Sequence, residues 1–174
     1  MIDRIMRAIR LDWTVFREIA EDQNAMSEAA IIVVIVSILS AIGSGLAAEG
    51  FFGAFVLALV ATVIGWIAWA IVTYFVGTTF FQGKSDIPEM MRVLGYAMAP
   101  NLLGFFSFLG CIGGLIAFIG SILAFVAGFI AVREAMEFDT GPAILTVLIG
   151  WIVYFAISMV VGLVFGSAAL LTGL

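Results

Sequence analysis

The sequence predicts an all-α integral membrane protein with five transmembrane helices and an N-terminal amphipathic helix at the membrane interface. Of its 174 residues, 64% are hydrophobic and only 11% are charged, and the mean hydropathy is +1.27. These values lie far outside the range of soluble globular domains. The few charges also leave uncharged runs of about 20 residues or more, the length that crosses the ~30 Å hydrocarbon core of a bilayer.

Residues 1–24 are predicted to form the amphipathic helix, because apolar side chains fall on one arc and charged side chains on the opposite arc. The apolar arc contains Ile2, Ile5, Met6, Ile9, Trp13, Phe16, Ile19 and Ala20. Leu11 and Asp12 fit this pattern badly. We interpret the helix as lying in the cytoplasmic interface, with its arginines near lipid phosphates and Trp13 at headgroup depth. The arginines concerned are Arg4, Arg7, Arg10 and Arg17. The alternative is a helix that packs on the protein's own loops.

Residues 25–174 are predicted to form one membrane domain. Its spans are expected at about 29–48, 53–81, 90–108, 112–131 and 142–165. The uncharged run 51–81 would reach roughly 46 Å as a helix, which is too long for one upright span and too short for two. We interpret it as one tilted or protruding helix, and a broken helix is the alternative. Turns are expected at Glu49–Gly50 and in the glycine-rich stretch that begins at Gly110.

The third span begins with a helix-start signal. Asp86 can accept a hydrogen bond from an early backbone N–H, and Glu89 completes a capping-box spacing. Pro88 has no backbone N–H, so it leaves no donor without a partner in the first turn. A helix is therefore expected to begin near Ile87. The candidate packing site of the chain lies further along this span, at Gly95, Tyr96, Pro100 and Asn101. A proline at this depth frees a backbone carbonyl, so a packed protein neighbour is needed there.

The seven basic residues predict the orientation of the chain. They are Arg4, Arg7, Arg10, Arg17, Lys84, Arg92 and Arg133. With five spans, all of them fall on one side of the membrane, which the positive-inside rule makes cytoplasmic. The N-terminus is thus expected inside, and Glu49 and the C-terminus outside.

The residue types give no support for catalysis, a metal site or an organic cofactor. The chain has no histidine, and its one cysteine, Cys111, is expected to be a buried, inert thiol. The carboxylate pairs Asp86–Glu89 and Glu134–Glu137 have helix-end spacings, which capping and solvation explain without catalysis. At depth the spans carry no ionisable residue, whereas proton relays and coupled transporters bury such groups.

Small residues recur at four-residue spacing in the last two spans. The sets are Gly113, Ala117 and Ser121; Gly120, Ala124 and Gly128; and Ser158, Gly162 and Gly166. Such stripes let helix backbones approach closely in lipid. We favour packing within the protein over a dimer seam.

The segment LGYAMAPNLL at Leu94–Leu103 resembles the GY…P element that opens the third span of the Yip-domain membrane proteins, the Ypt/Rab-interacting proteins. The acidic lead-in 16–27 and VREAMEFDTGPAIL at Val132–Leu145 are also similar to that family. The resemblance implies five spans, a cytoplasmic N-terminus and, in eukaryotic members, vesicle trafficking with Rab-type GTPases. The eukaryotic DLYGP element has no counterpart in residues 1–28, so a Rab-type partner is not expected, and the compact form is similar to prokaryotic members.

We therefore expect a non-enzymatic scaffold, membrane organiser or accessory subunit in a bacterial plasma membrane. Its expected partners are the lipid bilayer and other membrane proteins, or a second copy of the chain, through small-residue helix faces; nucleic acid is not implied. The alternative is a small transporter or channel, with Tyr96, Asn101 and the hydroxyl side chains of the spans along its path.

Overall fold

The computed structural model describes residues 1–45 and 51–172, and this part of the chain is built from helices. Seven α-helices and one 3-10 helix follow one another along it: α1 Ile2–Ile9, α2 Trp13–Glu21, α3 Ala25–Gly45, α4 Phe51–Phe81, α5 Ile87–Ala97, the 3-10 helix Ala99–Leu109, α6 Cys111–Ala135 and α7 Thr140–Thr172. The all-α prediction is confirmed. The turn expected at Glu49–Gly50 and the end of the first span lie outside the described residues.

Two segments among the described residues are long and apolar enough to cross a membrane, Thr62–Phe81 within α4 and Cys111–Ala135 in α6. Shorter apolar helical segments occupy Ala25–Leu39 and Thr140–Val153. The run 51–81 forms one unbroken α-helix, as the tilted-helix interpretation predicted. The count of five spans stays a prediction.

The third span differs from its prediction, because it is not one α-helix over 90–108. The α-helix ends at Ala97, and a 3-10 helix continues the chain from Ala99. Pro100 has no N–H to bond the carbonyl of Tyr96, and the backbone turns to i−3 bonding, with Asn101 N donating to Met98 O at 2.9 Å. At their respective rises the two pieces together reach roughly 38 Å, which still suffices for one crossing.

The N-terminal segment also differs from its prediction, because residues 1–24 form two helices and not one. Leu11 has a positive φ of 60°, and Asp12 caps α2 by accepting a hydrogen bond from Thr14 N at 3.0 Å. These are the two positions that fitted the amphipathic pattern badly. The chain therefore folds back, and α1 lies beside α2.

The core lies at the end of the bundle where α2, α3, α5 and α6 meet. Its largest fully buried side chains include Phe16 and Ile19 of α2, Met90 and Tyr96 of α5, and Met136 just after α6. The apolar face of α2 therefore packs on the protein, as the alternative interpretation predicted. Ile2, Met6 and Trp13 remain exposed, and their contact with lipid stays a prediction.

Glycines of α6 lie where neighbouring helices come close. A Cβ atom on Gly120 would lie 2.7 Å from the Pro100 carbonyl oxygen, and one on Gly128 would lie 2.9 Å from the Trp69 ring. Close packing within the protein is thus confirmed for these positions, while the side chains of the set 158–166 lie outside the described residues. Gly110 forms the expected turn with a φ of 65°, but Cys111 after it is exposed, so its predicted burial was wrong.

Contacts bring the basic segments to one end of the molecule. Lys84, between α4 and α5, donates its backbone N–H to the Met136 carbonyl at 3.3 Å, and its Nζ lies 3.6 Å from Glu137 Oε2. In α2, Arg17 forms an ion pair of 3.0 Å with Glu134 of α6. The N-terminal helices and both loops therefore share one end, which is the arrangement that the positive-inside argument requires.

We expect this end to face the cytoplasm. In a Cys111→Ser background, Lys84→Cys should react with a membrane-impermeant maleimide only after the cells are permeabilised, whereas Glu49→Cys should react in intact cells. The split of basic residues is the reason. Equal labelling of both positions in intact cells would contradict this orientation.

Candidate functional site

Gly95 lies where α5 and α3 come closest. A Cβ atom at this position would lie 2.8 Å from Ala29 Cβ and 3.3 Å from the Ala29 carbonyl oxygen. Real side chains do not approach so closely, so only glycine fits without displacing a helix. The sequence predicted a close contact at Gly95, and the structure identifies α3 as the neighbour.

Tyr96 joins the membrane helices to the N-terminal helices. Its side chain is fully buried, and its hydroxyl donates a hydrogen bond to the carboxylate of Glu28, near the start of α3. The guanidinium of Arg4, in α1, lies 3.7 Å from the same carboxylate oxygen. Three helices therefore meet at one charged, hydrogen-bonded cluster of Arg4, Glu28 and Tyr96, which we call the Tyr96 cluster.

Sequence analysis missed Glu28. A signal was present, because Glu28 is the last charged residue before a long uncharged run, and a carboxylate at the edge of a span needs a partner. Tyr96 supplies that partner from a position 68 residues further along the chain. This pairing can be predicted only when it is known how α3 and α5 pack.

Arg92 makes a second connection between α5 and the N-terminal helices, this time to α2. Its side chain is only 7% exposed, and one terminal nitrogen donates a hydrogen bond of 2.6 Å to the backbone carbonyl of Ala20. Ala20 lies at the end of α2, where carbonyls have no partner within the helix. On the other side of α5, Trp66 Nε1 of α4 donates to the Met91 carbonyl at 3.1 Å. Helix α5 is thus held between the N-terminal helices and α4.

The interfacial arginines contact carboxylates of the protein. Arg4 bonds Glu18 and Asp22, both at 2.8 Å, and Arg7 bonds Asp12 and Glu18 at 3.0 and 2.9 Å. Hydrogen bonds from Arg7 and then Arg4 hold the pKa of Glu18 below its usual value, and a hydrogen bond from Arg4 does the same for the pKa of Asp22. This network fixes α1 against α2.

Two further interfacial residues lie together at the surface. The guanidinium of Arg17 stacks over the Trp13 ring at 5.9 Å from its centroid while it pairs with Glu134. Glu134 also accepts from Arg133 at 2.6 Å. Arg10, in the turn between α1 and α2, is exposed. The predicted contact of the interfacial arginines with lipid phosphates stays a prediction. Within the protein, Arg4, Arg7 and Arg17 have carboxylate partners.

Pro100 and Asn101 lie apart from the Tyr96 cluster. The Pro100 carbonyl faces the Gly120 backbone of α6, and Asn101 lines a cavity of about 550 Å³ between the 3-10 helix, α4, α6 and α7. The four predicted site residues are therefore divided. Gly95 lies against α3, Tyr96 connects α5 to α1 and α3, and Pro100 and Asn101 face the interior of the bundle.

Acidification is expected to loosen the N-terminal helices. A carboxylate whose pKa is lower in the folded than in the unfolded state stabilises the fold at any pH above its unfolded pKa. The unfolded pKa is 4.5 for Glu18 and 3.8 for Asp22. The stabilisation is lost as the pH falls from these values through the lower pKa of the folded state. Amide hydrogen exchange of residues 2–21, corrected for intrinsic rates, should therefore increase from pH 7 to about pH 3.

The matched control is the double variant Arg4→Gln, Arg7→Gln, which should exchange faster already at pH 7 and respond less to acid. Burial raises the pKa of Glu89, which acts in the opposite direction, and the measurement is therefore restricted to residues 2–21. An equal response of wild type and variant would contradict the prediction.

The fold and the Tyr96 cluster are those of a helical membrane protein whose N-terminal helices are docked on one end of its bundle. The chain belongs to the Yip1 domain family, whose pattern it matches over residues 14–162. The family resemblance predicted from the sequence is thereby confirmed. Neither the comparison with curated proteins nor that with solved structures gave a match. Among the described residues, no group of His, Cys, Asp and Glu side chains is arranged to hold a metal ion.

Proposed function

We propose that this Yip1-domain protein is a non-enzymatic scaffold or accessory subunit, and that α1 and α2 form its docking platform at the cytoplasmic membrane surface. The observation that carries the proposal is the attachment of these helices to the membrane domain through Tyr96, Arg92 and Arg17. Members of the family are generally non-enzymatic membrane trafficking proteins, which agrees with this role.

The platform presents apolar side chains outward. Ile2 is 74% exposed and Trp13 is 50% exposed, and Met6 of α1 is exposed as well. Large apolar side chains next to cations suit a membrane interface or a partner that binds there. Since α2 is fixed to α5 and α6, a partner held at this surface would also be held in a defined position relative to the bundle.

Co-purification tests the proposal. The full chain is purified in mild detergent, and the proteins that accompany it are identified by mass spectrometry. We expect Ile2→Ser combined with Trp13→Ser to remove those proteins while the melting temperature of the chain is unchanged. Phe75→Ser is the matched control, because Phe75 is 61% exposed on α4 and far from the platform in sequence. The proposal fails if both variants retain the same proteins as the wild type.

The alternative, a small transporter or channel, is favoured by one observation, the cavity that Asn101 and Ser121 line. Tyr96 does not line that cavity, and its hydroxyl is instead bonded to Glu28. Solute flux in liposomes distinguishes the two functions. Flux above that of protein-free liposomes, blocked by Ser121→Phe, would replace the scaffold proposal.

A further inference from the structure

The depth of α1 relative to the membrane follows from its contact with Glu28. The Glu28 carboxylate lies 3.7 Å from Arg4 of α1, and Glu28 is the last charged residue before the uncharged run of α3. Ile31, less than one turn further along α3, is already an exposed apolar side chain. Ionisable groups are costly in the hydrocarbon core, so Glu28 marks its cytoplasmic edge. Helix α1 therefore lies at that edge.

Helix α2 lies on the cytoplasmic side of α1. The end of α2 is bonded to Arg92, whereas α1 is joined to the carboxylate that accepts from Tyr96. Both residues are in α5, which begins at Ile87, and Arg92 precedes Tyr96 by about 6 Å at the rise of an α-helix. Helix α1 also contacts the 3-10 helix, which continues the third span inward. The two N-terminal helices are thus layered, with α1 nearer to the bilayer.

The two sides of α1 have different chemistry. Arg4 and Arg7 donate to the Glu18 carboxylate of α2 at 2.8 and 2.9 Å, so this side of α1 faces α2. At the pitch of an α-helix, Ile2 and Met6 lie about 150° around the axis from the two arginines. Both are exposed, Ile2 at 74% and Met6 at 46%. Because α2 lies on the cytoplasmic side, the exposed apolar side faces the bilayer.

The charges of α1 are not free to attract lipid phosphate. Arg4 and Arg7 are paired with carboxylates of the protein. The remaining exposed charges are the Asp3 side chain and Arg10, in the turn after α1, and they are opposite in sign. Binding of α1 to lipid therefore has to come from its apolar side chains.

We propose that α1 inserts Ile2 and Met6 into the cytoplasmic leaflet, at the boundary between phospholipid headgroups and acyl chains, and that this contact does not require anionic lipid. The inference deepens the proposed function, on which it rests for the docking platform itself. It assigns α1 to the lipid and leaves Trp13 of α2, which is 50% exposed, for a partner protein.

Quenching of a fluorophore by spin-labelled lipids tests the contact. In the Cys111→Ser background, Ile2→Cys or Met6→Cys is labelled with a nitrobenzoxadiazole, and the full chain is reconstituted in phosphatidylcholine nanodiscs. The apolar face of an interfacial helix lies about 5–10 Å into the boundary region. We therefore expect strong quenching by a doxyl group near the headgroup end of the acyl chain and weaker quenching by one near its methyl end.

The matched control is Glu21→Cys, at an exposed position of α2. Its label should be quenched by iodide in the water and by neither spin-labelled lipid. The substitutions at all three positions replace exposed side chains, so the melting temperature should stay that of the Cys111→Ser protein. Iodide quenching at positions 2 and 6 that equals the quenching at position 21 would overturn the insertion.

Lipid composition tests whether the contact is apolar. Replacing part of the phosphatidylcholine with phosphatidylglycerol, or adding salt to screen charges, should leave the quenching at positions 2 and 6 unchanged. Quenching that appears only with phosphatidylglycerol, or that salt removes, would overturn the apolar contact and assign it to the arginines. Protection from iodide without quenching by lipid would mean that a second copy covers α1, and the proposal would be wrong. Because no partner protein is present, these results are separate from the co-purification test of the proposed function.

Discussion

Replacing Gly95 with leucine is expected to disrupt the end of the bundle that carries the docking platform. Even a methyl group at this position would lie 2.8 Å from Ala29 Cβ, and an isobutyl group would force α3 and α5 apart. Overpacking of this kind costs about 1–3 kcal/mol for small additions and more for larger ones. We therefore expect Gly95→Leu to lower the melting temperature in detergent strongly, and Gly95→Ala to lower it less.

Two controls make this result specific. Gly114, in α6, has no atom within 4 Å of a Cβ built on it, so Gly114→Leu should leave the melting temperature almost unchanged. Ala29→Gly should partly restore the stability of Gly95→Ala, because it removes the facing methyl group. Equal effects of leucine at positions 95 and 114 would show that the close contact is not important.

Replacing Tyr96 with alanine is expected to have the second large effect. The ring is fully buried, and truncation of a buried aromatic side chain costs about 3–5 kcal/mol. Tyr96→Phe removes only the hydrogen bond to Glu28, at a cost of about 1 kcal/mol. The free energy of unfolding in detergent should therefore fall in the order wild type, Tyr96→Phe, Tyr96→Ala.

A double-mutant cycle with Glu28→Gln isolates the hydrogen bond from the packing of the ring. We expect the effects of Tyr96→Phe and Glu28→Gln to be non-additive, because the two groups contact each other. Hydrogen exchange in α1 and α2 should increase in both single variants. Additive effects, with unchanged exchange in residues 2–21, would mean that the pair does not hold the N-terminal helices.

Local rules predicted much of this structure from the sequence. The Asp86 side chain accepts from Glu89 N at 2.6 Å and α5 begins at Ile87, as the capping signal indicated. The poor fit of Leu11 and Asp12 marked the position where the N-terminal segment divides, although it was interpreted within a single helix. These features depend only on residues a few positions apart, so they can be predicted from the local sequence alone.

The remaining features depend on packing between distant segments. The hydrophobic pattern of α2 suits a lipid interface and a protein surface equally, and only the position of α5 and α6 decides in favour of the protein for Phe16 and Ile19. The pairing of Glu28 with Tyr96 and the cavity beside Trp69 likewise arise from tertiary structure. Pro100 predicted a freed backbone carbonyl and a packed neighbour, but the sequence did not indicate that a 3-10 helix would begin there.

Cross-linking in native membranes tests most directly the central claim that α2 is docked on the membrane domain. Arg17 and Glu134 form an ion pair of 3.0 Å, so Arg17→Cys with Glu134→Cys in a Cys111→Ser background should be joined by a short bifunctional maleimide. Arg17→Cys with the natural Cys111 is the control, because Cys111 lies at the far end of α6, roughly 35 Å from Glu134. The account predicts a cross-link in the first pair and none in the second. No cross-link in the first pair, with both cysteines still reactive toward a monofunctional maleimide, would contradict it.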